Sequence, residues 1–165
     1  MAGLELLCAE HASAVLEFER VNRAYFAGFI SDRGDEFFER FAEGFGELLA
    51  EQEAGGCACY LLVAEDDGSV LGRFNLYGLA DGTADLGYRV AERAAGRGVA
   101  TGAVRELCGI AAARHGVRVL RAAVSDGNAA SRRVLAKAGF VAVGPAGPAD
   151  LGGKSGLWFE RELRA

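Results

Sequence analysis

The chain is poor in proline, histidine and cysteine, and it has no long hydrophobic run. Its two prolines, Pro145 and Pro148, stand close together near the C-terminal end. A proline-rich linker is therefore excluded, and no repeat or low-complexity segment interrupts the sequence. The two histidines, His11 and His115, and the four cysteines, Cys8, Cys57, Cys59 and Cys108, are too few and too scattered for a metal site of standard kind. Cys57 and Cys59 are one residue apart rather than two, which fits neither a zinc nor a redox motif, so free thiols and no metal are expected. No apolar stretch approaches the roughly 20 residues that span a bilayer, so no membrane partner is expected. Met1-Ala2-Gly3-Leu4-Glu5 has no basic region ahead of an apolar one, so no signal peptide is expected and a cytoplasmic location follows. An excess of basic charge is also missing. The net charge of −5 excludes a basic nucleic-acid footprint and suits an amine substrate better.

What is present is enough to fold. Residues 1–165, 51% of them hydrophobic, predict one domain with a real core. The 24 glycines fall largely between periodic segments, as in a turn-rich α/β protein. A short strand at Leu4–Leu6 precedes a helix over 10–22. Tyr25-Phe26-Ala27-Gly28-Phe29-Ile30 is an aromatic stretch, and Phe37, Phe38, Phe41, Phe45, Leu48 and Leu49 recur at helical spacing over 35–53. The aromatics of residues 25–45 are core between helices and sheet, or in part (Tyr25, Phe26 or Phe29) the lining of a substrate groove. Strands follow over 59–64, 70–77 and 84–90, with an Asp67-Gly68 hairpin signal between the first two. A helix from Ala100 ends with Gly116 as its C′ residue. A strand over 117–124, a helix over 129–138 capped by Asn128, and strands over 140–143 and 157–163 complete the chain, with a loop over 144–156.

The chemistry concentrates in Tyr88-Arg89-Val90-Ala91-Glu92-Arg93-Ala94-Ala95-Gly96-Arg97-Gly98-Val99-Ala100-Thr101. It reads as a strand, a glycine-bearing loop and a helix start. Gly96 and Gly98 let backbone approach a ligand, and the helix start presents unpaired N–H groups and a positive dipole end. Arg93 and Arg97 add charge, so a phosphate or diphosphate is the expected ligand. No Gly-Lys-Ser/Thr triplet is present for a nucleoside-triphosphatase loop. The dinucleotide fingerprint fails at its third glycine. It also lacks an acid about 20 residues on, where Arg121 stands instead.

Arg93-Ala94-Ala95-Gly96-Arg97-Gly98 resembles the (Gln/Arg)-x-x-Gly-x-(Gly/Ala) acetyl-CoA signature of the GNAT superfamily of N-acetyltransferases. Asn128-Ala129-Ala130-Ser131, followed by a helix ending in Gly139-Phe140, resembles its second motif. The resemblance is sharp over about residues 84–142. It looks most like the branch that contains the ribosomal-protein N-terminal acetyltransferases. It implies an α/β (α+β) GNAT fold: a mixed, mostly antiparallel sheet of about seven strands, splayed at the two flanking the acetyl-CoA loop, with about four helices. It further implies acetyl-CoA as co-substrate and a primary amine as acceptor, either a small molecule or a protein N-terminus, in a monomer or homodimer. By the same resemblance, Tyr88, Arg89 and Val90 line the pantetheine arm. Arg93, Gly96, Arg97, Gly98, Val99, Ala100 and Thr101 hold the diphosphate. Asn128 and Ser131 bond the arm near the sulfur, and the Val90 N–H polarises the thioester carbonyl. Asp85 is the candidate base, with a solvated strand-end carboxylate as its alternative reading. Ser131 is the candidate acid, because Leu135 stands where many relatives carry a tyrosine. A weakly active or sensing module that only binds acetyl-CoA is the alternative.

Overall fold

In the computed structural model, which describes residues 3–164, seven strands form one sheet in the order β1-β2-β3-β4-β5-β7-β6. The strands are β1 (Leu4–Leu6), β2 (Cys57–Val63), β3 (Val70–Ala80), β4 (Thr83–Val90), β5 (Val119–Ser125), β6 (Val141–Ala146) and β7 (Gly156–Glu162). The start of the chain at Met1 and Ala2, and with it the expectation about a leader, lies outside the described residues. Six α-helices accompany the sheet: α1 (Ala12–Val21), α2 (Arg23–Ala27), α3 (Asp35–Glu39), α4 (Phe41–Glu53), α5 (Val99–His115) and α6 (Ala129–Lys137).

The expected count of about four helices rises because two expected segments divide. The helix over 35–53 breaks at Arg40, whose backbone (φ −109°, ψ 26°) leaves the helical region. The aromatic stretch after α1 starts as the short helix α2, set off by Asn22 at φ −98°, ψ 6°. The loop expected over 144–156 is shorter than the sequence suggests. Gly144, Pro145 and Ala146 extend β6, an edge strand where proline's missing N–H costs no ladder bond.

Every neighbouring pair of strands is antiparallel except β4 and β5, which run parallel and are joined through α5. Side chains alternate across the sheet, so each face has its own core. Ala84 and Leu86 of β4 pack with Phe74, Leu76 and Leu120 against Val104, Leu107 and Ala111 of α5 and Leu135 of α6. The opposite face packs Cys57, Cys59 and Leu61 of β2 against Val15 and Phe18 of α1, Phe26 of α2 and Phe41 and Phe45 of α4.

A buried ion cluster ties α1 to that second face. Glu19 is 1% exposed and lies on the same helix side as Val15 and Phe18. Its carboxylate accepts from Arg73 of β3 at 2.7 Å, from Arg89 of β4 at 3.0 Å, and from Arg33, in the loop before α3, at 3.2 and 3.3 Å. Burial alone would raise the Glu19 carboxyl. The charges of Arg33, Arg73 and Arg89, with hydrogen bonding from Arg33, outweigh burial and hold it below its ordinary 4.5.

Removing this carboxylate leaves buried guanidinium charge without a partner. Glu19→Gln is therefore expected to lower unfolding stability by about 3–5 kcal/mol in urea titrations at pH 7. Because the folded pKa is depressed, the wild-type advantage is complete above pH 4.5 and is lost as pH falls through the lower folded value. An unchanged denaturation midpoint at pH 7 would refute the cluster's role.

Candidate active site

The parallel strands separate where the loop that follows them begins. β4 and β5 pair only at Thr83–Val119, Ala84–Leu120 and Asp85–Arg121. Beyond these the strands diverge, and a cleft opens between Gly87 and Tyr88 on one side and Ala123 and Val124 on the other. The phase of the β3–β4 ladder determines what faces this cleft. The Ala91 N–H donates to the Leu71 carbonyl at 2.8 Å, and Val90 stands opposite Gly72. Backbone groups in an antiparallel pair alternate in direction. Arg89 and Gly87 thus bond toward β3, while the N–H groups of Tyr88 and Val90 point into the cleft, where β5 supplies no partner. The same alternation on β5 turns the Ala123 backbone toward the cleft, because Asp126 donates to Ser155 and Leu163 to Arg118.

The cleft runs into a cavity of about 620 Å³ at the start of α5. Gly96 (φ +74°) and Gly98 (φ +76°) lie on its wall in left-handed backbone, with no atom within 4 Å of where a Cβ would stand. Gly98 is the N-cap and offers no side-chain cap. The N–H groups of Val99, Ala100 and Thr101 have no intrahelical acceptor, and all three residues line the cavity. An anionic ligand fits this cradle, because the helix end is positive and no side chain occupies it.

Asn128 and Ser131 line the opposite wall, together with Tyr88 and Val90. Asn128 caps α6 by accepting from the Ser131 N–H at 3.2 Å. The Ser131 and Tyr88 hydroxyls are hydrogen-bonded at 2.6 Å. Burial pushes the Tyr88 phenol up to about 12, with the Ser131 bond opposing it. Tyr88 stacks on Phe74 at 5.7 Å between ring centres, which holds its hydroxyl in place.

The geometry matches the GNAT pattern, and a family model described as Acetyltransferase (GNAT) domain matches residues 3–141. The chain belongs to that family. Among solved structures, the GNAT domain here is similar to ribosomal-protein-S5-alanine acetyltransferase from Vibrio fischeri, at 18% identity and a TM-score of 0.88, over 97% of this chain and 92% of that one. Mycobacterium smegmatis RimJ in complex with CoA-disulfide is 22% identical, with a TM-score of 0.85 over 98% of this chain and 81% of that one. Spermidine N-acetyltransferase from Vibrio cholerae, in complex with CoA and spermine, is 12% identical, with a TM-score of 0.80 over 98% and 95%. A search of curated proteins finds no significant match.

Three of the residues singled out in sequence lie outside the cavity wall of this GNAT domain. Arg93 turns to the β2–β3 hairpin, where it bonds Ser69 and approaches Asp67 at 3.9 Å. Arg97 is exposed at the rim, and Asp85 stands where the β4–β5 pairing ends, opposite Tyr77 and Arg121. The cations on the wall are instead Arg133 and Lys137 of α6 and Arg89 of β4. Arg133 and Lys137 are four apart and so share a helix side, a spacing visible in the sequence once Asn128 is known to start that helix. Arg89 belongs to the opposite sheet face from Tyr88 and Val90, because it alternates with them along β4. Of the aromatics offered for a groove, Tyr25 and Phe29 line the cavity, while Phe26 is 2% exposed and belongs to the core. Leu135 is fully buried, so its position is filled by packing.

The Tyr88 phenol is expected to stay protonated past the ordinary range. An absorbance titration at the phenolate band should show a transition near pH 12 that disappears in Tyr88→Phe. Since folding raises this pKa, it should cost stability as pH climbs from about 10 to about 12. Full phenolate signal by pH 11 would contradict the buried hydroxyl pair.

Proposed function

We propose that the chain is an acetyl-CoA-dependent N-acetyltransferase that moves the acetyl group directly to a primary amine. The observation that carries this reading is the continuity of the β4–β5 cleft with the glycine cradle at the α5 N-terminus. One extended ligand with a diphosphate in its middle fits that path. Gly96, Gly98 and the free N–H groups of Val99, Ala100 and Thr101 receive the diphosphate, and Arg133 and Lys137 add positive charge from α6. Arg97 assists from the rim, and Arg93 contributes only by holding the hairpin beside the loop. The pantetheine arm runs along the backbone of Tyr88 and Val90 and of Ala123, with Asn128 at its side.

Bound acetyl-CoA supplies an activated thioester. The chain's own residues orient it and stabilise charge. The Val90 N–H donates to the carbonyl oxygen as negative charge develops there. The amine nitrogen forms its bond to the acetyl carbon as the carbon–sulfur bond breaks. The amine proton leaves through water, with Asp85 at the edge of the acceptor face as its destination. The Ser131 hydroxyl, bonded to Tyr88, gives its proton to the departing sulfur and is reprotonated through water by the proton that Asp85 collected. The four free cysteines suit the reducing cytoplasm, which we take as its setting, and the chain acts as a monomer or homodimer.

A second reading, binding of acetyl-CoA without turnover, draws on the position of Asp85 away from the cavity wall and on Leu135 in place of an acid. Thiol release from acetyl-CoA separates the two readings. Release that depends on an added amine (peptides with free N-termini, polyamines or aminoglycosides) is expected, and tight acetyl-CoA binding with no release for any amine would establish the sensor. Gly98→Val should weaken acetyl-CoA binding at least tenfold in calorimetry, about 1.4 kcal/mol, because a side chain would enter the cradle from a strained left-handed position. Normal affinity in a folded Gly98→Val protein would remove the loop from the site.

A further inference from the structure

On the face of β4 opposite the proposed CoA track, one cluster of arginines carries more positive charge than the acid at its centre neutralises. Arg33, Arg73 and Arg89 converge on a single carboxylate, Glu19, which leaves an excess of two positive charges. Among the described residues these arginines have no other carboxylate within 4.0 Å. The other acids that the strands place on this sheet face, Glu5, Asp85, Glu160 and Glu162, lie farther than 4.0 Å from these three arginines, and Asp85 and Glu160 stand in register with Arg121, which lies over Trp158 at 4.1 Å.

Two buried polar atoms on the same face have no partner: Nε of Arg73 and Oδ1 of Asn75. Both residues are 6% exposed. They stand on β3 opposite Arg89 and Gly87 of β4, one strand away from the cleft. One is a spare donor and the other a spare acceptor, enclosed beneath Arg89 and Gly87, so the interior under this face is polar and under-paired.

Arg89 links this cluster to the cavity. Its side chain is 17% exposed, it lines the cavity with Tyr25, Phe29 and Ile30, and its guanidinium lies 5.0 Å from the Phe26 ring centre. Burial lowers the Arg89 pKa, and the charges of Arg33 and Arg73 add to that despite Glu19. A ligand anion at Arg89 would relieve this repulsion, and a ligand cation would add to it.

We propose that the acceptor is an amine that also carries an anionic group, such as a carboxylate, which Arg89 holds on the face of β4 opposite the CoA track. This rests on the transferase reading and narrows it. Polycations such as polyamines and aminoglycosides are disfavoured as acceptors by the two excess charges. The −5 net charge of the whole chain therefore misreports the local field at the acceptor side.

The test uses three dipeptide amides with the same free N-terminus, Ala-Glu, Ala-Gln and Ala-Lys, with spermidine as a fourth acceptor. The expected order of kcat/KM is Glu above Gln above Lys and spermidine. The Glu and Lys peptides should differ at least tenfold, mainly in KM, as for one charge-assisted contact. In Arg89→Gln, whose folding is checked by its acetyl-CoA-induced rise in Tm, the ratio should collapse to about twofold. Equal values in the wild type, or a lead for Lys or spermidine, would overturn the proposal. Binding of the acetylated products to the CoA-saturated protein gives a readout that needs no turnover. Preference for the acetylated Glu peptide without any catalysis would support the anion site and count against the transferase. Catalysis or binding with no preference for Glu would count against the anion site alone, and so would a failure of every product to bind.

Discussion

The interrupted pairing between β4 and β5 is the constraint on which the rest depends. A parallel ladder that stops after Asp85–Arg121 leaves backbone donors and acceptors facing open space in the middle of a sheet. Unpaired buried backbone is costly, so such a gap persists only when the surrounding packing enforces it and a solvent or ligand partner is available. Here α5 and α6 pack against one face and α1, α2 and α4 against the other, so the strands cannot close without breaking both cores. The gap is thereby held open with backbone donors and acceptors along both edges.

The two walls of the gap divide the chemistry. On the helix side, Tyr88 is clamped by Phe74 and joined to Ser131, while Asn128 fixes the start of α6. These are neutral hydrogen-bonding groups. On the other side, charge dominates, with Glu19 at the centre of Arg33, Arg73 and Arg89. Alternation along a single strand separates these environments, since Tyr88 and Arg89 are adjacent in sequence and point oppositely. One strand therefore presents both environments.

Much of the fold was legible in the amino-acid order. The strands around the Asp67-Gly68 turn, the stripe of Ala103, Val104, Leu107 and Ala111, and the glycine at the end of α5 follow from local periodicity and cap chemistry, which act over a few residues. The break at Arg40 and the extension of β6 through Pro145 were not legible, because an edge position or a packed neighbour decides them. In the site, the cradle of Gly96, Gly98 and the α5 start could be read directly, since glycine and helix termini carry their meaning locally. The positions of Arg93, Arg97 and Asp85 could not. A long side chain near a loop in sequence can reach several surfaces, and Arg93 reaches the hairpin. Glu19 left only a faint signal, an acid on the apolar side of α1 with Val15 and Phe18.

The sequence by itself determined the family, the glycine-bearing start of α5 and the order of elements, because these rest on short-range backbone geometry written in contiguous residues. The tertiary structure alone decided which cations face the cavity, how far β4 and β5 stay together, and that four residues from α1, the loop before α3, β3 and β4 share one buried charge cluster. Those outcomes depend on contacts between distant segments, such as the Glu19–Arg89 bond across 70 residues, and electrostatics between such partners strengthens once packing has excluded water from between them.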